Sequence, residues 1–512
     1  MMDRITDAMD DRFVSEKLAA AREYETKNEI AVSDRPLFHV TPAVGWMNDP
    51  NGFSVYAGRV HLFYQYHPYS TVWGPMHWGH QVTKDMIKWE QLPAALAPDT
   101  EYDEDGCFSG TAIEDKGRHI LIYTSVMKNP DGEGVLQNQS IAVGDGTEYT
   151  KIGGNPVVNG DMLPYGLSRE DFRDPKVWQE DGIYYMVAGT VDEDKKGQVV
   201  LFSSQDLVNW SFESVLAKND KDYGGVWECP DFFEIDGHKV LLVSPIEMVA
   251  KGYEFHNGNN SIYFIGDYDD TEKKFEVGEP FSLDYGTDFY APQTTLLPDG
   301  RRVMIAWMQS WHNLWIPQGQ MWQGMMTLPR EISLKDGRLI QRPVREIENY
   351  RSDKVILANE LVSGSCVFDG ISGRFIDMEI AVKGDGYNEF AIDLAKNDRY
   401  YTRFTYDRRK NIIELDRTFA GFERDVVCIR RAEVKPSYSA DSQRGSAEDV
   451  GSIDEQIKLR FILDRNSIEL FVNDGIMTMS TAIYTPVTAT GIEFSCDGKA
   501  AVDIEKYDIK MN

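Results

Sequence analysis

Cysteine is scarce and scattered: Cys107, Cys229, Cys366, Cys428 and Cys496 are the five in 512 residues, with no C-x-x-C spacing. Neither a disulfide framework nor a cysteine zinc site organises such a chain. Hydrophobic runs long enough to span a bilayer are missing. The first 34 residues are charged and lack the apolar stretch of about 7–15 residues that marks a secretory leader. These absences predict no membrane contact and a reducing, cytoplasmic setting. Basic residues are in deficit as well, 53 Lys and Arg against 83 Asp and Glu, for a formal net charge of -30. So acidic a surface repels nucleic acid and anionic lipid and favours a neutral or cationic ligand. Gly144-Asp145-Gly146 lacks the Lys-Ser/Thr and helix of a phosphate loop, and His77-x-x-His80 lacks a supporting His-Glu-x-x-His helix, so neither cofactor nor metal is expected.

What the chain has in quantity is aromatic and strand-forming residues. There are 11 Trp, 25 Tyr and 24 Phe, many beside polar residues, as sugar-stacking sites require. Residues 3–27 place Phe13, Val14, Leu18 and Ala21 at helical spacing, which predicts a surface helix ahead of Pro36. This helical extension, 1–34, can pack on the rest of the chain or on a second copy, so a homo-oligomer stays open. From Phe38 the pattern turns to short apolar strands separated by Asp/Gly turns, recurring at roughly 60-residue intervals. Five strand-turn-strand units stand out: Asp49 to His67, Phe108 to Ser125, Asp174 to Gly189, Asp231 to Ser244 and Tyr290 to Gln309. Each starts near a polar cluster and returns as an apolar strand such as Leu121-Ile122-Tyr123. Radial repetition of this kind predicts an all-β fold, a five-bladed β-propeller over 35–331. A charged linker, 332–354, and a β-sandwich over 355–512 are expected to follow, the latter interrupted by a Ser/Asp/Gly-rich loop at 436–452.

Three segments place a carboxylate just ahead of a proline at the start of a unit: Asp49-Pro50, Arg173-Asp174-Pro175 and Glu228-Cys229-Pro230. Proline lacks the ladder N–H and biases its predecessor towards extended backbone, which suits the first position of an edge strand. One acid-Pro pair is ordinarily a turn or strand start. Three at the starts of units one, three and four meet around the axis of a propeller. Retaining glycosidic cleavage needs such a set, one ionised carboxylate as nucleophile and one protonated carboxyl to protonate the leaving oxygen. Asp49, with Asn48 and Asn51 as amide donors, suits the ionised role. Glu228, between Trp227 and Cys229, has apolar chain neighbours that would raise its pKa. Asp174, beside Arg173, is expected to stay ionised and to bind hydroxyls. Cys229 is either a modulator of the acid or a buried structural thiol.

The segments Trp46-Met47-Asn48-Asp49-Pro50-Asn51-Gly52, Arg173-Asp174-Pro175 and Glu228-Cys229-Pro230 resemble the three signature motifs of glycoside hydrolase family 32, the invertase and β-fructofuranosidase family. Phe63-Tyr64-Gln65-Tyr66-His67-Pro68, Trp78-Gly79-His80, Phe108-Ser109-Gly110-Thr111-Ala112 and Leu328-Pro329-Arg330-Glu331 support the likeness. The resemblance implies a five-bladed propeller with an axial active site and a C-terminal sandwich. It implies Asp49 as nucleophile, Glu228 as acid/base and Asp174 as transition-state stabiliser, with Asn48, Gln65, Trp73, Phe108, Ser109, Arg173 and Trp307 around the fructose. The substrate class implied is a terminal β-D-fructofuranoside: sucrose first, then sucrose 6-phosphate or short fructo-oligosaccharides. A fructosyltransferase and a catalytically silent sugar-binding protein are the alternatives on the same scaffold.

Overall fold

The computed structural model describes residue 5 and residues 14–130, 132–434 and 456–511. The expected loop at 436–452 lies outside them. Helix forms at Glu16–Lys27, where the Ser15 hydroxyl accepts from the Leu18 N–H and caps the first turn. Leu18 and Ala21 are buried, whereas Val14 stands ahead of the helix and exposed, and Phe13 is not among the described residues. The helix is tied to the propeller. Arg22 donates to the Ala94 carbonyl (2.9 Å) and to Glu148 (2.9 Å), and Glu25 accepts from the Ala94 N–H (3.2 Å).

Five antiparallel sheets form the propeller blades, and the inner strand of each is Gly45–Tyr56, Gly106–Asp115, Arg173–Glu180, Trp227–Ile235 and Tyr290–Leu296 in turn. In the first four blades the inner hairpin turns through two residues of positive φ: Ala57-Gly58, Lys116-Gly117, Asp181-Gly182 and Asp236-Gly237. Both central residues of a type I′ turn need that left-handed backbone, which is why glycine takes the second place each time. In the fifth the loop is longer, and Leu296 faces Arg302 across it. The second strands are buried on both faces, as at Leu121 and Ile122 or Leu241 and Leu242, because they pack between neighbouring blades. The ring closes through a short parallel pairing of Gly45 and Trp46 with Trp322 and Gln323.

Residues 332–354, expected as a linker, are structured. Arg330–Lys335 and Arg338–Pro343 are the outer strands of blade five, and a 3-10 turn at Arg345–Tyr350 leads straight into the next strand at Arg351. Their alternation of charge reflects outward faces of edge strands, not a solvated tether. Beyond lies the sandwich, whose two layers are joined into one ten-stranded sheet because the 19-residue strand Gly491–Ile509 pairs with strands of both. Its core includes Phe404, Phe461 and Phe494. Among the described residues no helix is long and apolar enough to cross a membrane.

Propeller and sandwich meet across buried charge. Arg330 is fully buried and reaches Asp284 (3.1 Å) and Glu469 (2.6 Å). His39 lies between Asp464 (2.8 Å) and Glu469 (2.9 Å). Those carboxylates overcome the cost of burial and raise the imidazole to about 9.

Candidate active site

The inner strands converge at one end of the propeller axis, and each is broken there by a β-bulge. Register shifts fall between Met47 and Pro50, Phe108 and Gly110, Glu228 and Asp231, and Tyr290 and Gln293 on inner strands, and opposite Arg173 in blade three. Contrary to the extended backbone expected before proline, Asp174, Cys229 and Ala291 have φ of 63°, 49° and 52°. The left-handed conformation costs roughly 1–3 kcal/mol at a non-glycine residue. Each strained residue has its N–H captured: Asp174 donates to the Thr124 hydroxyl (2.9 Å), Cys229 to Asp174 Oδ2 (2.9 Å) and Ala291 to the Ser244 hydroxyl (3.2 Å). The proline that follows has no N–H to lose, so it tolerates the break in the ladder. A bulge turns two successive side chains towards the axis where a regular strand would offer one.

Asp49 is held by neutral donors. Trp46 Nε1 donates to Asn48 Oδ1 (2.7 Å), which orients the amide so that Asn48 Nδ2 donates to Asp49 Oδ1 (3.0 Å). Ser109 donates to the other oxygen (2.7 Å). Asn51 turns instead to the Gly110 N–H (3.3 Å). Burial, with the charge of Glu228 adding to it, pushes Asp49 up to about 6 against these hydrogen bonds.

Glu228 does not meet its chain neighbours as expected. Trp227 points away and is fully buried against Phe264, and Cys229 lies on the other branch of the bulge. The carboxylate faces the residues at equivalent positions in the adjoining blades. Arg173 Nε and Nη2 donate to one oxygen (3.1 and 3.0 Å) and the Tyr290 hydroxyl donates to the other (2.5 Å). Asp174 also departs from expectation: burial pushes it up to about 7, Arg173 opposing and the charges of Glu228 and Asp49 adding. The Cys229 thiol sits between two acids, 3.7 Å from Asp49 Oδ2 and 3.6 Å from Asp174 Oδ2. Burial, reinforced by those carboxylates, keeps it a neutral thiol.

Of the remaining sequence candidates, Phe108 packs on the apolar cluster of Trp46, Met76, Cys229, Tyr290 and Trp307 that surrounds the pit. Trp73 is 45% exposed and meets Phe108 edge to face at 6.0 Å, a rim position open to a sugar ring. Gln65 is buried and donates to the Cys107 carbonyl (3.0 Å). Trp307 is fully buried beneath Trp46 and Trp311, so it supports the wall and presents no face to a ligand. Two residues were missed. Tyr290 holds Glu228, and its segment Tyr290-Ala291-Pro292 repeats the spacing of Glu228-Cys229-Pro230 without an acid to mark it. Trp311, stacked on Trp46 at 5.9 Å, comes from an irregular loop with no pattern to find.

Carboxylates gathered at the mouth of a five-bladed propeller, two of them held in separate ways and flanked by aromatic rings, define a glycoside hydrolase. Relatives agree. The family models for the N-terminal domain and the C-terminal region of glycosyl hydrolases family 32 match residues 39–343 and 344–510. The chain belongs to glycoside hydrolase family 32. A sucrose-6-phosphate hydrolase of Escherichia coli is 36% identical over 457 residues, 88% of this chain and 89% of that protein. A raffinose invertase of Escherichia coli is 37% identical over 456 residues, with the same shares covered. Among solved structures, a GH32 beta-fructofuranosidase of Bombyx mori superposes with a TM-score of 0.80 at 32% identity, covering 96% of this chain and 98% of that one.

Proposed function

We propose that the chain hydrolyses terminal β-D-fructofuranosides with retention, through a covalent fructosyl-enzyme. The observation that carries the reading is the split environment of the acids: Asp49 is held by Asn48 and Ser109, Glu228 by Arg173 and Tyr290. Asp49 attacks the anomeric carbon, the glycosidic C–O bond breaks, and Glu228 gives its proton to the leaving oxygen. Glu228 then takes a proton from water, whose oxygen attacks the same carbon and frees Asp49. Asp174 accepts hydrogen bonds from fructose hydroxyls, and Trp73 offers a stacking face at the rim. Asn48, Gln65, Phe108 and Ser109 complete the pocket, and Arg173 keeps the Glu228 carboxyl in plane.

The named relatives act on sucrose 6-phosphate and raffinose, and a variant of the Bombyx mori protein is in complex with sucrose, which supports a sucrose-type substrate here. A cytoplasmic setting suits sugar delivered in phosphorylated form. Sucrose, sucrose 6-phosphate, kestose and inulin should be compared with one preparation. Free fructose and free glucose released from concentrated sucrose in equal amounts support hydrolysis. A large fructose deficit overturns it in favour of transfer to sugar.

A further inference from the structure

Tyr290 faces two acceptors with one proton to give. Its hydroxyl lies 2.5 Å from Glu228 Oε2 and 3.1 Å from the Ser244 carbonyl oxygen. A carbonyl only accepts and a phenol carries a single hydrogen, so the two lines are used in alternation. The ring itself is fixed, 1% exposed within the cluster of Trp46, Met76, Cys229 and Trp307. Ser244, paired with Glu228 across its hairpin, also anchors the chain beside the ring, because its hydroxyl accepts from the Ala291 N–H (3.2 Å). Only the O–H bond is left to rotate. The Glu228 side chain is 20% exposed, so it is the carboxyl, not the phenol, that meets a ligand.

The two carboxyl oxygens of Glu228 differ in what they face. Oε1 receives both Arg173 Nε (3.1 Å) and Arg173 Nη2 (3.0 Å). A proton on Oε1 would point at a cationic N–H or displace it, so the proton is carried by Oε2. There the one donor can turn away. When Oε2 is protonated, the Tyr290 O–H points at Ser244 and the phenol oxygen accepts from the carboxyl. When Oε2 is ionised, the O–H turns back and donates to the charge. A hydrogen bond to a charged acceptor is about twice as strong as a neutral one, so the turn favours release of the proton. Burial, reinforced by the charge of Glu228, holds the Tyr290 phenol well above its ordinary range, and its own O–H bond stays intact.

We infer that Tyr290 is a positioning residue for proton transfer: it makes Oε2 the oxygen of Glu228 that serves the leaving group, and its O–H turns from the Ser244 carbonyl to Oε2 as the proton departs. The inference rests on the reading of Asp49 and Glu228 as the fructosidase pair. In the first step the Oε2–H bond breaks, the proton passes to the glycosidic oxygen and the electron pair stays on Oε2. The anomeric C–O bond breaks as the bond to Asp49 forms. In the second step Oε2 takes a proton from the attacking water, the bond to Asp49 breaks with its electron pair returning to the carboxylate, and the Tyr290 O–H turns back to Ser244. Tyr290 gives up no proton in either.

The experiment compares kcat/KM on sucrose, whose leaving oxygen needs a proton, with kcat/KM on β-D-fructofuranosyl fluoride, whose fluoride departs without one. Tyr290→Phe keeps the ring and should lose about ten- to hundredfold on sucrose but less than about threefold on the fluoride. Retained cleavage of the fluoride also certifies that the variant is folded. Glu228→Gln should show the same selectivity more strongly. Adding Tyr290→Phe to Glu228→Gln should cost less than about twofold more on sucrose, since the phenol acts through the carboxyl. Equal losses on both substrates in Tyr290→Phe, no loss on sucrose, or losses that multiply in the double variant overturn the inference and leave the fructosidase pair standing. Equal losses on both substrates in Glu228→Gln sink the acid/base reading itself, and the inference with it.

Discussion

The ionisation of Asp49 is set by two neutral donors working against burial and the charge of Glu228, and its value of about 6 has a direct kinetic consequence. A nucleophile must be unprotonated, so kcat/KM for sucrose should fall about tenfold per pH unit once pH drops below 6. Ser109→Ala removes a donor that favours the charged form, and the acid limb should move up by about one unit. Asp49→Ala should cut turnover by about 10⁴-fold or more, read as reducing sugar released. Its melting temperature at pH 7 should not fall. A carboxylate raised by folding is destabilising once ionised, here by up to about 3 kcal/mol, and the variant removes it. At this scale the sequence was informative where chemistry is carried by type and neighbour. Asp49, Asn48, Ser109, Arg173, Asp174 and Glu228 meet in one pit, and the motifs had already marked them. It was uninformative where direction mattered, since adjacency in the chain put Trp227 beside Glu228 while the bulge brought Arg173 and Tyr290 there.

Bulges are the element that converts five ordinary hairpins into a site. Gly110 shows how little room they leave: a Cβ there would lie 2.1 Å from the Ile122 carbonyl oxygen and 2.6 Å from the Tyr123 Cα. Gly110→Ala should therefore destabilise the protein by about 1–3 kcal/mol in denaturant titration. It should also lower kcat/KM by displacing Ser109 from Asp49. Hairpins were legible because a two-residue turn between β-prone runs admits few residues, and a residue followed by glycine satisfies it four times, as Ala-Gly, Lys-Gly and twice Asp-Gly. Residues 332–343, most of blade five's outer strands Arg330–Lys335 and Arg338–Pro343, were read as linker because one face is charged, although the two strands pair with each other across an Asp336-Gly337 turn of the same kind. The left-handed backbone at Asp174 and Cys229 was hidden because a local rule about proline was overridden by long-range capture of the N–H.

The molecule as a whole is clamped at its two halves' junction by charges that water does not reach. His39 is raised from 6.5 to about 9 by Asp464 and Glu469, so its contribution is complete below pH 6.5 and lost as pH rises through 9. Thermal melts between pH 6 and 10 should show a decline of roughly 3 kcal/mol in the wild type that is absent in His39→Gln. Arg330→Met would strand Asp284 without its cation and leave Glu469 with His39 alone, and a loss of about 3–5 kcal/mol in equilibrium unfolding is the expected outcome.

Ring closure through Trp322 and Gln323 bears on biogenesis. Until residue 323 has left the ribosome, Gly45 and Trp46 have no parallel partner, and the strand that bears Asp49 keeps an open border. A nascent chain must therefore carry nearly the whole propeller before its earliest blade is complete. Such distant pairing slows folding and lengthens the interval in which chaperones or aggregation compete for the chain.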